Sequence, residues 1–284
     1  MDNRILIVAD RLRERLNDPN WVFVDCRSDL ADPGAGRRAY ATSHIPGAVF
    51  LDLEEGLSGP IGPGTGRHPL PEVDAVVARL GELGIDKTRT VAVYDANHGA
   101  IAARAWWVLR WLGHDDVRLL DGGFDRWRQL GLPVEAGEVS REARTFQAQV
   151  RSELVLTTAQ LADDPDGIRS LNLLDARDRG RFRGEYEPID PVAGHVPGSV
   201  SMPFAEFVLP DGTWRPLPER KALLMSVLGG SAETKWAVMC GSGVTACHLA
   251  ISGLEAGLAE PRLYVGSWSE WIRDPSRPVG AGDA

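Results

Sequence analysis

The sequence predicts an α/β protein made of two tandem copies of one domain, each a mainly parallel sheet with helices on both faces. Three observations predict it. Short apolar runs of strand type alternate with runs of helical spacing, the pattern of βα units. Four blocks recur in the same order 144 to 151 residues apart. One of those blocks ends on a cysteine and passes through a Gly-rich turn into a helix, at the end of a strand where α/β folds place their ligands.

In the first copy the strand-like runs are VFVD (22–25), AVFLD (48–52), VAVYD (91–95) and VRLLD (117–121). In the second they are LNLLD (171–175), SVSMP (199–203), WAVM (236–239) and RLYVG (262–266). Residues 73–84 (VDAVVARLGELG) and 102–113 (AARAWWVLRWLG) have helical spacing and end on glycine, a frequent residue just past a helix. The repeat pairs Asp25 with Asp175, SHIPGAV from Ser43 with GHVPGSV from Gly194, Asp95 with Cys240, and Trp127 with Trp271. A steady offset over four ordered blocks identifies a duplication. A polar stretch without apolar period, 135–152, separates the copies, so domains are expected at 1–138 and 152–284.

At 284 residues the chain suffices for two domains, and 43% hydrophobic with 25% charged residues is ordinary for a globular protein. A net charge of −9 argues against nucleic acid or an anionic membrane as partner. The three cysteines (Cys26, Cys240, Cys247) include no CxxC pair, so neither a disulfide framework nor a zinc site is expected, and no metal is assigned. The five-residue apolar run Ile5 to Ala9 is too short for a secretory signal, and a cytoplasmic location is expected.

The candidate site is KWAVMCGSGVTACHLA, 235–250. A strand that delivers Cys240 to a Gly-Ser-Gly turn and then a helix aims that sulfur at several backbone N–H groups. Such a nest holds anions and favours thiolate, the nucleophilic form. Cysteine phosphatases build a similar loop but place an arginine six residues after the thiol to grip the phosphate. Here that position is Ala246, which disfavours phosphate chemistry. Asp95 stands opposite Cys240, with Ala96-Asn97-His98 opposite Gly241-Ser242-Gly243, so the first copy is degenerate and lacks the thiol and both glycines. Cys26 and Cys247 read as packing. His44 and His195 recur in both copies and read as supports of their Pro-Gly turns.

Cys-Gly-Ser-Gly-Val-Thr-Ala (240–246), the paired His-Ile/Val-Pro-Gly segments, DARDRGRFRG (175–184) and the tandem layout resemble two-domain rhodanese-type sulfurtransferases. The loop, without basic residues, most resembles the 3-mercaptopyruvate branch. The resemblance implies ping-pong transfer of a sulfane sulfur through a Cys240 persulfide to a thiol or cyanide. It implies no cofactor, and its partners are a small anionic donor, the acceptor and a thioredoxin-like reductant. Arg181 is expected to bind the donor anion with Gly241, Gly243, Val244 and Thr245 of the loop. Arg177 is a second candidate, with a structural ion pair as its other reading. A Ser–His–acid relay maps to Ser242, His68 and Glu54. The second arginine usual in that branch is replaced by Ile189-Asp190, which keeps thiosulfate open as donor. A non-enzymatic persulfide carrier is the remaining alternative.

Overall fold

VFVD and VAVY are apolar at nearly every position, as strands covered on both faces require. They form the centre of the first sheet in a computed structural model of the chain, which describes residues 4–96, 98–162, 171–229 and 233–283. Asn97, aligned above with Ser242, lies outside the described residues. The strands are β1 (Leu6–Ile7), β2 (Trp21–Asp25), β3 (Val49–Phe50), β4 (Thr90–Tyr94) and β5 (Val117–Leu120), then β6 (Val155–Leu156), β7 (Leu173–Asp175), β8 (Val200–Ser201), β9 (Ala237–Met239) and β10 (Arg262–Tyr264). The two sheets have the orders β1-β5-β4-β2-β3 and β6-β10-β9-β7-β8, with every pairing parallel. One permutation written twice is the duplication in three dimensions. The two-residue edge strands β1 and β6 are additions to the sequence reading, being too short to show alternation.

Each sheet has its own core. Phe23, Ala92, Tyr94, Phe124 and Trp127 pack in the first, and Leu173, Met239, Tyr264, Trp268 and Trp271 in the second. The two helices expected from spacing form at Val73–Glu82 and Ala102–Trp111, and Gly84 and Gly113 past their ends adopt positive φ. No helix among the described residues is long and apolar enough to cross a membrane.

The compact units differ from the two contiguous stretches expected. The first comprises Met1–Gly59, Leu70–Arg151 and Leu209–Trp214; the second comprises Pro60–Pro69, Ser152–Val208 and Arg215–Ala284. The polar stretch after residue 138 is a strap on the first unit. Arg144, Gln149 and Arg151 donate their N–H groups to the carbonyls of Gly81, Leu112 and Trp111, and Phe146 is buried. Within the second unit, segment Pro60–Pro69 is held by the N–H of Gly66 on Glu270 Oε2 (3.3 Å) and of Arg67 on Ser269 Oγ (3.1 Å). Gly66 is needed there, since a Cβ would lie 2.5 Å from the Gly266 carbonyl oxygen. Within the first unit, segment Leu209–Trp214 is fixed by the Trp214 N–H on Asp121 Oδ1 at 2.8 Å.

Each unit repeats one internal frame. Asp25 with Arg27, and Asp175 with Arg177, form fork-shaped ion pairs, and each guanidinium also donates to a carbonyl, of Ser43 (2.6 Å) and Gly194 (2.7 Å). His44 and His195 follow those carbonyls. They bridge in antiparallel fashion to Glu135 and Gly280, and their Nδ1 atoms lie 2.8 and 2.9 Å from the carbonyls of Tyr40 and Phe182. Both histidines therefore belong to the scaffold.

Candidate active site

Strand β9 ends at Met239, Cys240 follows it at once, and the loop leads to the helix Ala246–Glu255. Three residues that begin a short helix, Ser267–Trp271, hold the start of this loop. The N–H groups of Trp268 and Ser269 donate to the carbonyls of Cys240 (3.0 Å) and Gly241 (2.9 Å). Ser267 Oγ accepts the Cys240 N–H at 3.1 Å and donates to the Tyr264 carbonyl at 2.8 Å. Ser267 adopts this role at φ 52°, a left-handed conformation that costs a non-glycine residue about 1–2 kcal/mol. Its counterpart in the first unit is Gly123, at φ 59°.

The first unit shows what such a loop binds. Phe124 and Asp125 donate their N–H groups to the carbonyls of Asp95 and Ala96, the same pair of contacts. The Asp95 carboxylate then accepts three amides of its own loop, from Gly99 (2.9 Å), Ile101 (2.8 Å) and Ala102 (3.1 Å). Gly99 and Gly243 share positive φ (78° and 74°), and their helices begin at Ala102 and Ala246. This corrects the alignment made from sequence: the first loop is one residue longer, and Gly99, not His98, takes the place of Gly243. The first copy therefore lacks only the thiol and the first glycine. Where it seats a carboxylate in a ring of amides, the second unit carries a sulfur.

Ser242 and His68 meet within the second unit, Oγ to Nδ1 at 2.7 Å, and both are buried. His68 reaches the loop because its segment is pinned to Ser269 and Glu270 of the helix that also holds the loop. Glu54 is an exposed residue of the first unit, in the short helix Leu53–Gly56, where its N–H donates to the Asp52 side chain at 2.7 Å. Val244 is buried and Thr245 half-buried at the start of the helix after the loop.

The two predicted arginines have different surroundings. Arg177 is 1% exposed, forked onto Asp175, in contact with Glu187 at 3.5 Å and stacked 4.7 Å from the Trp268 ring. Arg27 repeats this arrangement over Phe124 at 4.3 Å in the unit without a thiol. That corrects the expectation of Arg177 as a substrate ligand: its donors are spent on the frame. Although burial opposes the charge, Asp175, Glu187 and Cys240 together hold the Arg177 guanidinium above its ordinary range.

Arg181 is turned to the loop. A Cβ built on Gly241 would lie 3.4 Å from Arg181 Nη2, 2.8 Å from Arg67 Nη2 and 3.8 Å from Asp190 Oδ2. Arg67 and Asp190 were not singled out in the sequence as ligands. The one signal for Arg67 was its place beside His68, and for Ser267 its alignment with Gly123. Cys26 and Cys247 are buried, and burial first, with nearby carboxylates, pushes the Cys26 thiol well up. Its N–H reaches the Tyr94 carbonyl as that of Ala176 reaches Met239, a packing position in both units.

The chain matches the family described as Rhodanese-like domain twice, over residues 8–130 and 157–274. A Pseudomonas aeruginosa protein named "Probable 3-mercaptopyruvate sulfurtransferase" is 46% identical over the full length of both chains. A Mycobacterium tuberculosis protein named "Putative thiosulfate sulfurtransferase SseB" is 40% identical, over 99% of this chain and 98% of its own. The crystal structure of SseA from Escherichia coli, titled as a 3-mercaptopyruvate sulfotransferase, superposes with a TM-score of 0.81 at 31% identity, covering 94% of this chain and 99% of its own.

Proposed function

The chain belongs to the rhodanese-like family, and from that premise we propose that it is a sulfurtransferase carrying sulfane sulfur as a persulfide on Cys240, with 3-mercaptopyruvate as donor. The observation that carries the reading is the correspondence of Cys240 with Asp95. A loop whose twin binds a carboxylate through three amides is pre-organised for an anionic sulfur.

The Cys240 thiolate attacks the donor sulfur and a sulfur–sulfur bond forms as the carbon–sulfur bond breaks. The electron pair of the broken bond goes to the donor carbon, which takes up a proton and becomes the methyl group of pyruvate. Cys240 is left as a persulfide. A thiol or cyanide then attacks the outer sulfur, and the Cys240 thiolate departs. The Ser242–His68 pair is a hydrogen-bonded route beside the loop that moves the proton needed in the first half. Arg181 binds the donor carboxylate. A small dithiol or a thioredoxin-like reductant fits the acceptor role.

Thiosulfate is the second reading, favoured by the name of the mycobacterial relative and by Ile189 in the stretch after Arg181. Side-by-side kinetics with the two donors decide between them, the higher kcat/KM naming the donor. Wild-type protein exposed to donor without acceptor gains the mass of one sulfur atom. A Cys240→Ser protein that still transfers sulfur overturns the persulfide.

A further inference from the structure

Within the second unit the short helix Ser267–Trp271 holds two things at once. The N–H groups of Trp268 and Ser269 carry the carbonyls of Cys240 and Gly241. The side chains of Ser269 and Glu270 accept the N–H groups of Arg67 (3.1 Å) and Gly66 (3.3 Å), the two residues directly before His68. The segment lies this close because both facing residues are glycines. A Cβ at Gly66 would meet the Gly266 carbonyl oxygen at 2.5 Å, and one at Gly266 would overlap the Glu270 carboxylate.

Glu270 is itself held from behind. The Tyr264 hydroxyl lies 2.7 Å from Thr158 Oγ1, and Thr158 donates to Glu270 Oε1, which leaves Oε2 for the Gly66 N–H. Thr158 and Tyr264 are buried, and burial pushes the Tyr264 phenol above its ordinary range against the Thr158 hydrogen bond, so it stays a neutral donor. The first unit has the same seat with a different anchor. There segment Leu209–Trp214 lies along Gly122, where a Cβ would be 3.1 Å from Thr213 Cγ2, and Asp121 anchors it. Ser269 and Glu270 are matched in that unit by Asp125 and Arg126, and an arginine side chain has no acceptor to offer an N–H group. That segment sets Trp214 against Gly99, 3.3 Å from a Cβ built there, where the second unit sets His68 against Ser242. The Glu270 anchor thus accompanies the histidine and the thiol.

We infer that Glu270 is a positioning residue of the sulfur-transfer step: with Ser269 it fixes the backbone of Gly66 and Arg67 and so sets His68 at hydrogen-bond distance from Ser242. Reaction between held groups depends steeply on their placement, and a displacement of about 1 Å costs up to about 10²-fold in rate. Glu270 acts through His68 and not on the donor. The inference rests on the proposed proton route for its kinetic consequence but not for its geometry, which is read separately.

Glu270→Ala, Glu270→Gln, Ser269→Ala and Thr158→Val are compared with wild type in two measurements. The first is the NMR signal of the His68 imidazole nitrogens, identified by its loss in His68→Asn. It is expected to move in Glu270→Ala and Ser269→Ala in the direction it moves in Ser242→Ala, where the partner of the ring is gone. Glu270→Gln, which keeps an oxygen for the Gly66 N–H, stays near wild type, and Thr158→Val, which loosens Glu270 from behind, falls between. In the second, kcat with mercaptopyruvate falls about tenfold in Glu270→Ala and Ser269→Ala and changes little with thiosulfate. Neither substitution lowers kcat further in a Ser242→Ala background, because groups acting through one contact are not additive. A His68 signal unmoved in the alanine variants overturns the positioning. Equal losses with both donors, or full additivity with Ser242→Ala, overturn it too, since a merely structural anchor gives both. Should Glu270→Ala not fold, Ser269→Ala and Thr158→Val carry both measurements. If wild type does not turn over mercaptopyruvate, the donor reading alone fails, and the His68 signal still decides the positioning.

Discussion

His68 Nδ1 and Ser242 Oγ are 2.7 Å apart, although 174 residues separate them in the chain. The contact joins the loop of the nucleophile to a segment from the first half of the sequence. If it moves the proton taken up by the departing carbon, Ser242→Ala and His68→Asn lower kcat with mercaptopyruvate by roughly 10²-fold, the usual range for a positioned acid or base. With thiosulfate the leaving sulfite needs no proton on carbon, so the same variants lose far less. Equal losses with both donors would show the pair to be structural.

Two glycines of one loop are expected to fail differently. Gly243 has φ 74° and a Cβ there would lie 2.5 Å from the Val265 carbonyl oxygen, so Gly243→Ala destabilises by about 2 kcal/mol or more. At Gly241 the nearest obstacle is the tip of the flexible Arg67 side chain. Gly241→Ala is expected to keep the wild-type melting temperature and to raise KM for the donor. Thermal melting and steady-state kinetics on the pair check both statements.

Asp95 is predicted to be a structural anion. Asp95→Ala leaves the amides of Gly99, Ile101 and Ala102 without their carboxylate and costs roughly 2–4 kcal/mol of stability. Sulfur transfer per folded molecule, measured well below the melting temperature, stays at the wild-type value. Chemical denaturation reads the first quantity and a sulfur-release assay the second.

Asp86 gives a pH-dependent term. Burial opposes its charge, but Thr88 and the Arg144 guanidinium at 2.9 Å bring its carboxyl down from 3.8 to about 2. A carboxyl depressed in the folded state contributes stability that is complete above about pH 4 and is lost as pH falls toward 2. Asp86→Asn should therefore melt below wild type at neutral pH, with the gap closing between about pH 4 and 2. A gap independent of pH would remove the ion pair to the strap as its cause.

The legible parts of the molecule were those written locally. Cys240 with its glycines, the helices ending at Gly84 and Gly113, and the central strands each declare themselves within a dozen residues. The duplication was legible because it repeats such local signals. Arg67, Asp190 and Ser267 were not, because their roles arise where remote segments converge on Gly241 and on the Cys240 N–H. An Arg in a Gly-rich loop has no pattern of its own, and a serine at positive φ looks like any serine until its backbone is seen. Arg177 misled because an arginine soon after a strand end suits an anion ligand and a frame ion pair equally, and the parallel with Arg27 decides between them only once both contacts are visible.

The crossing-over of segments Pro60–Pro69 and Leu209–Trp214 bears on how the duplicated gene could evolve. On the proposed mechanism the copy without the thiol is indispensable, because it encodes His68, the partner of Ser242. A fragment cut at Ser152 would keep Cys240, its loop and Arg181 but would lack His68. On that mechanism duplication ended in division of labour, with one half owning the nucleophilic sulfur and the other owning a partner of its loop. The proposal therefore expects point mutations in the first half to retune the chemistry of the second.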